Sequence, residues 1–193
     1  FAAVGCSRSA RSPRGARPDA TAARPRPLRV LFKQQSSFGT VYVVEQGALR
    51  ILRFGAPDAE DQSAYDPRHP NDEPLGYVRA SLLGLAFISR PKRVLMIGLG
   101  GGSFLRHVRR WAPRAVLEAV EINPVVVTAC KKHFGFARAG KVRIHVMDGR
   151  KFVQQAGARY DLVFLDAYDA MDYPRHLGTR QFFAEVKRIL APR

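Results

Sequence analysis

The stretch Arg93-Val-Leu-Met-Ile-Gly-Leu-Gly-Gly-Gly-Ser-Phe-Leu-Arg-His-Val108 decides the fold of this chain. Its first part, Val94 to Ile97, is a short apolar run of the length of a buried strand. The chain then breaks at four glycines and resumes with apolar residues at helical spacing, Phe104, Leu105 and Val108. A strand, a glycine turn and a helix N-terminus together form a site for a nucleotide-like ligand, because backbone N–H groups can approach it closely.

The glycines of this turn have the spacing G-x-G-x-G, at Gly98, Gly100 and Gly102. A dinucleotide-binding turn requires its third glycine where this chain has Ser103. The spacing found here is common in S-adenosylmethionine-binding domains. A glycine-rich turn also occurs for packing reasons alone, so the prediction depends on the surrounding residues.

Strand and helix patterns alternate after the turn, which predicts an α/β fold with a parallel, Rossmann-like sheet and right-handed crossovers. Before the turn, residues 38–54 predict a β-hairpin and residues 75–88 predict a helix. Because the chain stops at Arg193, where another strand is expected, we expect a sheet that is truncated at its C-terminal end. The further strands are predicted at 115–121, 142–146 and 160–166, and the further helices at 124–134, 150–155 and after Thr179.

Three regions follow from these patterns. We expect a disordered basic tail over 1–28, an N-terminal β-hairpin region with a loop over 29–74, and a Rossmann-like domain over 75–193. The tail begins with Phe1, so we expect a fragment or a processed form. An organelle transit segment, the end of a lipoprotein signal at Cys6 and an unselected extension all fit the tail, and we favour the last. We therefore expect a cytoplasmic protein.

The chain is strongly basic, with a formal net charge of +16. Six arginines lie in the tail, and the scattered cations of the second half favour solvated helix faces over a nucleic-acid surface. No apolar run reaches the roughly 18 residues of a membrane span. Cys6 and Cys130 are far apart and lack metal-like spacing, so we expect no metal site and no disulfide framework.

Acidic residues follow successive predicted strands at Glu121, Asp148 and Asp166. Because ligands bind parallel sheets at the carboxyl ends of the strands, these acids and the glycine turn are expected to share one site. An acid in the position of Glu121 suits ribose hydroxyls, and one in the position of Asp148 suits the amine of an adenine. Asp166 and Asp169 form a carboxylate pair that suits a cationic centre or a general base, although a solvated acidic loop would look the same.

These motifs together resemble the spermidine synthase (polyamine aminopropyltransferase) family over residues 36–191. The matching segments are 94–102, 120–124, 147–149, 165–169 and 177–183. The resemblance implies a β-hairpin domain on a methyltransferase-like Rossmann domain, with decarboxylated S-adenosylmethionine as donor and the amine of putrescine as acceptor. It also implies a homodimer.

The resemblance assigns a role to each site residue. Gly98, Gly100 and Gly102, with Gln62, Glu121, Ile122, Asp148 and Gly149, would bind the donor. Tyr77 and Tyr168 would line the acceptor site. Asp166 would accept the proton, with Asp169 beside it on the amine.

The chain departs from the family pattern at three positions. Gly101 stands where the family has an Asp that holds the donor amine, Arg79 replaces an acid, and Gly39 replaces a glutamine. Lost anions disfavour a polyamine acceptor, since ammonium groups need compensation when they are desolvated. We also expect Gly101 to leave room near the donor's tail, which would favour ordinary S-adenosylmethionine.

The sequence thus predicts a spermidine synthase-like transferase that uses an S-adenosylmethionine-type donor and a small-molecule acceptor. Aminopropyl and methyl transfer both stay open. The alternatives are a methyltransferase of unknown substrate, an inactive adenosyl-ligand-binding protein and, in a third class, an RNA-binding or RNA-modifying protein.

Overall fold

A computed structural model describes residues 2–3, 27–88, 90–168 and 174–192. The chain forms a parallel sheet of five strands and an antiparallel sheet of four. The strands in chain order are β1 (Ala2–Ala3), β2 (Leu28–Ser36), β3 (Gly39–Gln46), β4 (Leu49–Phe54), β5 (Ser63–Tyr65), β6 (Arg93–Ile97), β7 (Val116–Glu121), β8 (Val142–Val146) and β9 (Leu162–Leu165). The helices are α1 (Gly76–Leu82), α2 (Ser103–Trp111), α3 (Pro124–His133), α4 (Gly149–Gln155) and α5 (Arg180–Ile189), and short 3₁₀ helices span Leu83–Phe87, Phe136–Ala139 and Arg175–Leu177.

The centre of the parallel sheet is β6, and the strand order is β1-β9-β6-β7-β8. Alternate residues of β6 point to opposite faces, so each face has its own core. Val94 and Met96 pack in the cluster that contains Leu105 and Val108 of α2. Leu95 and Ile97 pack in the other cluster, with side chains of α4 and α5 that include Val153, Phe182 and Val186. The predicted α/β fold with a parallel sheet is confirmed.

The antiparallel sheet has the order β2-β3-β4-β5, and its centre is the predicted hairpin. Val41, Val43 and Leu52 of this hairpin are almost completely buried against side chains of α3. Sequence reasoning missed the two outer strands. Most residues of β2 are exposed, so their apolar positions show no clear alternation, and β5 has only three residues.

The N-terminal capping residues that the sequence predicts are found in two helices. The side chain of Asn123 accepts a hydrogen bond from the Val125 N–H at 3.0 Å, and Pro124 is the first residue of α3. Thr179 caps α5 in the same way, with the Phe182 N–H as donor. The predicted helix over 75–88 divides into α1 and the first 3₁₀ helix.

Most of the predicted tail over 1–28 lies outside the described residues. Ala2 and Ala3 form β1, which pairs in parallel with Phe164 and Leu165, and β2 begins at Leu28. The expectation of disorder is wrong for these three residues, because strand pairing uses backbone groups that any side chain allows. In the described part of the chain, no helix has the length and apolar character needed to cross a membrane.

Candidate active site

The glycine turn after β6 lies against the end of β9. Gly98 has a φ of +87°, and a Cβ atom built on it would lie 2.1 Å from the carbonyl oxygen of Asp166. Gly102 has a φ of +69°, and its Cβ would lie 2.5 Å from the Phe136 ring. Both positions therefore require glycine for backbone conformation and for close approach. These contacts bring the backbone of Asp166 to the turn.

Gly101 makes the connection between the turn and the antiparallel sheet. Its N–H donates to the hydroxyl of Ser63 at 2.8 Å. A Cβ at this position would lie 2.7 Å from Cδ1 of Phe134 and 3.0 Å from Cβ of Ser63. The expectation that Gly101 leaves room near a donor is therefore wrong, because Phe134 and Ser63 fill the space that a side chain would enter.

Glu121, the last residue of β7, is buried beside the turn. One carboxylate oxygen accepts from the Leu99 N–H and the other from the Asn123 N–H, both at 2.9 Å. Burial raises the pKa of Glu121 above its ordinary value, and these backbone hydrogen bonds oppose the rise. The backbone N–H groups of Ile122 and Gly100 also donate to this carboxylate, so a ligand hydroxyl would share its oxygens with them.

The end of β8 supplies Asp148, which caps α4. Its two oxygens accept from the Lys151 N–H at 2.9 Å and contact the His176 ring at 2.8 Å. Partial burial would raise the pKa of Asp148, but these hydrogen bonds outweigh burial and the pKa lies below its ordinary value. Gly149 is buried, and a Cβ on it would lie 2.5 Å from Cγ2 of Ile97. The absence of a side chain at Gly149 thus lets α4 pack closely against β6.

Ile122 follows Glu121 and is 43% exposed at this same edge of the sheet. A large apolar side chain left in solvent at the ligand-binding edge of a parallel sheet suits the flat face of an aromatic ligand. Its place in donor binding stays a prediction.

Asp166 follows β9 and is partly buried in a crevice between the two sheets. Burial raises the pKa of its carboxyl to about 6, and a hydrogen bond with the Tyr77 hydroxyl opposes the rise. The Tyr77 hydroxyl oxygen also lies 3.1 Å from the backbone carbonyl oxygen of Gln62, so its single proton is shared between these two acceptors. Tyr77 of α1 thereby contacts both Asp166 and the backbone of Gln62, and the predicted roles of these residues in acceptor and donor binding stay predictions.

Sequence reasoning missed Glu73, which lines the same crevice as Asp166. Glu73 is 7% exposed, and its carboxylate contacts the Ser103 hydroxyl, the Leu75 N–H at 3.1 Å and the His107 ring at 3.4 Å. Nothing in its own sequence neighbourhood marks it, because it lies in a polar loop without periodicity. Only the contact between this loop and α2 brings it to the site.

Three further residues of the sequence analysis are Arg79, Tyr168 and Asp169. Arg79 is exposed, is not among the described residues that line the crevice, and donates to the backbone carbonyl of Glu73 at 3.1 Å. It therefore does not place a cation among the carboxylates of the crevice. Tyr168 lies two residues after Asp166 and is partly buried. Asp169 lies outside the described residues.

Among the described residues, no group of three or more His, Cys, Asp or Glu side chains could hold a metal ion. Cys130 is fully buried, and burial raises the pKa of its thiol. A buried thiol in apolar surroundings is a packing residue.

A parallel sheet with a glycine turn after its central strand and an acid after the next strand defines a Rossmann-like domain of the methyltransferase type. The structure is similar to human methyltransferase-like protein 13 in complex with SAH, with 27% identity, a TM-score of 0.54 and 61% of each chain covered. A probable spermidine synthase from Corynebacterium glutamicum shares the fold, with a TM-score of 0.72 and 20% identity over 83% of this chain and 60% of that chain.

The family model of the spermine/spermidine synthase domain matches residues 81–193, and the chain belongs to this family. A relative, the polyamine aminopropyltransferase of Vibrio vulnificus, is 34% identical over 167 residues. The match covers 84% of this chain and 56% of the relative. The chain thus spans a little more than half the length of that protein.

Proposed function

We propose that this chain contains the donor site and the catalytic base of a polyamine aminopropyltransferase. In this reaction an amine of a small-molecule acceptor receives the aminopropyl group of decarboxylated S-adenosylmethionine. The observation that carries the proposal is the place of Asp166: its backbone packs against Gly98 of the glycine turn, and the residue lines the crevice between the two sheets, where burial raises the pKa of its carboxyl to about 6. A carboxylate with a raised pKa at this place is suited to accept a proton from an attacking amine.

The chemical step needs little from the protein besides position and a proton acceptor. The amine nitrogen forms a bond to the donor carbon, the bond from that carbon to sulfur breaks, and its electron pair stays on sulfur. The positively charged sulfonium thereby becomes a neutral thioether. Because the leaving group loses its charge, its departure needs no stabilisation by the protein. The proton released by the nitrogen goes to Asp166, which is ionised above a pH of about 6.

The donor's polar groups match the edge of the parallel sheet. Glu121 has acceptor capacity for ribose hydroxyls, Asp148 is an acceptor for the adenine amine, and the exposed Ile122 would lie against the adenine ring. The glycine turn adjoins Glu121 through the Leu99 N–H, and its glycines are held in place by packing against neighbouring protein atoms.

The crevice beside Asp166 supports an amine acceptor. Two carboxylates line it, Asp166 and Glu73, and Tyr77 adds a hydroxyl. Arg79 is not part of the lining, so the anions of the crevice are not offset by that cation. Carboxylates compensate for the water that an ammonium group loses on binding.

The test is an assay of the chain with decarboxylated S-adenosylmethionine and putrescine, in which spermidine is detected by mass spectrometry. We expect spermidine from the wild-type chain and a loss of about 10²–10⁴-fold in kcat/KM for Asp166→Asn. The matched control is Asp58→Asn, an exposed loop acid whose change should leave the rate unaltered. For the wild type, kcat/KM should rise with pH through an apparent pKa of about 6. Equal rates for the two variants would refute the role of Asp166.

A second candidate function is methyl transfer from ordinary S-adenosylmethionine. It is favoured by the likeness to human methyltransferase-like protein 13 in complex with SAH, and by Gly101 in place of an acid that would hold a donor amine. The two functions are separated by a second assay, in which ordinary S-adenosylmethionine replaces the decarboxylated donor and putrescine is omitted. Consumption of ordinary S-adenosylmethionine with methylation of an added acceptor would support the second candidate.

A further inference from the structure

Cationic side chains converge on a second crevice, which is separate from the one that contains Asp166. It lies between α2, the loop before α1 and the 3₁₀ helix Phe136–Ala139, and encloses about 470 Å³ including its open part. The two crevices share no described lining residue. The lining of the second consists of Pro70, Asn71, Arg106, His107, Arg110 and Arg138, so it holds three arginines and no acid.

The buried member of this group is Arg106, which is 4% exposed. Its Nη1 donates to the carbonyls of Gly101 and Phe134 at 2.7 and 2.9 Å, and its Nη2 donates to the Ser103 hydroxyl at 3.1 Å. Its buried Nε has no hydrogen-bond partner among the described residues. A buried donor without a partner is costly, which marks the place as incomplete without a further acceptor.

The two outer arginines also lack compensation. Arg110 and Arg138 are exposed, and neither forms an ion pair with a described residue. Burial lowers the pKa of Arg106, and repulsion from Arg138 lowers it further, while Glu73 and Cys130 act in the opposite direction. His107 faces the Glu73 carboxylate at 3.4 Å, and Glu73 also attracts Arg106, so this acid offsets the two inner members of the cluster.

We propose that this crevice binds a small anion that carries a phosphate group, with Arg110 and Arg138 as its charged contacts above the buried Arg106. Guanidinium groups form paired, charge-assisted hydrogen bonds with phosphate oxygens, and an anion between them removes their mutual repulsion. Free phosphate and the phosphate group of a nucleotide share this chemistry. The site does not depend on the proposed transferase function, because none of its residues has a role in that function.

The experiment is a titration of the ¹⁵N-labelled chain with inorganic phosphate at constant ionic strength, followed by NMR. We expect the Asn71 amide and the Arg110 and Arg138 side-chain Nε–H signals to shift with one common affinity. Arg110→Gln and Arg138→Gln should each weaken binding about tenfold, since one charge-assisted hydrogen bond is lost. Arg159→Gln, which removes an exposed arginine outside the crevice, is the matched control and should leave the affinity unchanged.

Equal weakening in all three variants would overturn the proposal, because it would show attraction by net charge alone. Shifts confined to the amides of residues 98–102 would overturn it as well, since phosphate would then bind at the glycine turn. A second titration with adenosine monophosphate identifies the source of the anion. If Asn71 responds to both ligands, a nucleotide phosphate fits the site, and if it responds to phosphate alone, the site takes the free ion.

Discussion

Ionisation of the Asp166 carboxyl lowers the stability of the folded chain. Its pKa is raised from 3.8 to about 6 by burial, so the folded chain keeps a proton that the unfolded chain has already released between these values. The stability from this carboxyl is full below pH 3.8 and is lost as the pH rises through about 6. Asp166→Asn should therefore raise the free energy of unfolding at pH 8 by about 3 kcal/mol.

The measurement is urea unfolding of the wild type and Asp166→Asn at pH 8 and at pH 4. The difference between the two proteins should shrink towards zero at pH 4, where the wild-type carboxyl is protonated when folded. A constant difference at both pH values would contradict a raised pKa. Combined with a lost activity, greater stability at pH 8 would identify a residue that is retained for chemistry and not for folding.

Gly98 must be glycine for two reasons, its positive φ and its close contact with the backbone of Asp166. Alanine substitutions at Gly98 and at Gly55 separate the energetic costs of these two effects. Gly98 and Gly55 both have a positive φ, of +87° and +80°, but a Cβ on Gly55 would meet no atom within 4 Å. Gly55→Ala should cost about 1–2 kcal/mol from the left-handed conformation alone. Gly98→Ala should cost about 1–3 kcal/mol more, because the new methyl group would lie on a carbonyl oxygen that cannot move without β9.

Thermal or urea unfolding of both glycine variants checks this comparison. Equal losses in the two variants would show that the contact between the turn and Asp166 is looser than described. The result bears on the proposed function because this contact fixes the backbone of Asp166, the proposed base, against the glycine turn.

At the scale of elements, the capping side chains of α3 and α5 differ in their hydrogen-bond partners. The Thr179 side chain accepts from the Phe182 N–H of its own helix α5, whereas Asn123 caps α3 and also donates through Nδ2 to the Ser36 hydroxyl at 3.0 Å. Ser36 ends β2, so Asn123 joins the two sheets. Thr179→Ala should reduce the free energy of unfolding by about 1 kcal/mol, and Asn123→Ala by about 1 kcal/mol more.

Urea unfolding of the two cap variants, with the double variant Asn123→Ala and Ser36→Ala, tests the second contact. The additional loss at Asn123 should disappear when Ser36 is already alanine. An Asn123→Ala variant no less stable than Thr179→Ala would show that the contact between the sheets contributes nothing.

These elements also show which parts of the fold follow from sequence. Asn123, Thr179 and the apolar run of β6 are local signals, since each depends on a few neighbouring residues. The strand β2 has no such signal, because its residues are mostly exposed and it is held by pairing with β3. Such pairing depends on a partner strand. The alternation of apolar and polar residues within one segment does not reveal that partner.

At the scale of the whole molecule, the site lies where the two sheets meet. The positions of Glu121, Asp148 and Asp166 at or just after the ends of β7, β8 and β9 were predictable, because the carboxyl ends of parallel strands share an edge, and their common site stays a prediction. Ser63 and Glu73 were not, since each reaches the glycine turn or α2 only through the packing of the antiparallel sheet and its loop. The prediction about Gly101 failed for the same reason, because Phe134 comes from a distant segment to fill the space.

The most direct test of the central claim is a calorimetric titration of the chain with decarboxylated and with ordinary S-adenosylmethionine. The two carboxylates of the crevice, Asp166 and Glu73, should repel the donor carboxylate that only the ordinary compound carries. We therefore predict that the decarboxylated donor binds at least about tenfold more tightly, a difference of about 1.4 kcal/mol. Tighter binding of ordinary S-adenosylmethionine would contradict aminopropyl transfer and favour methyl transfer, and binding of neither compound would contradict the donor site itself.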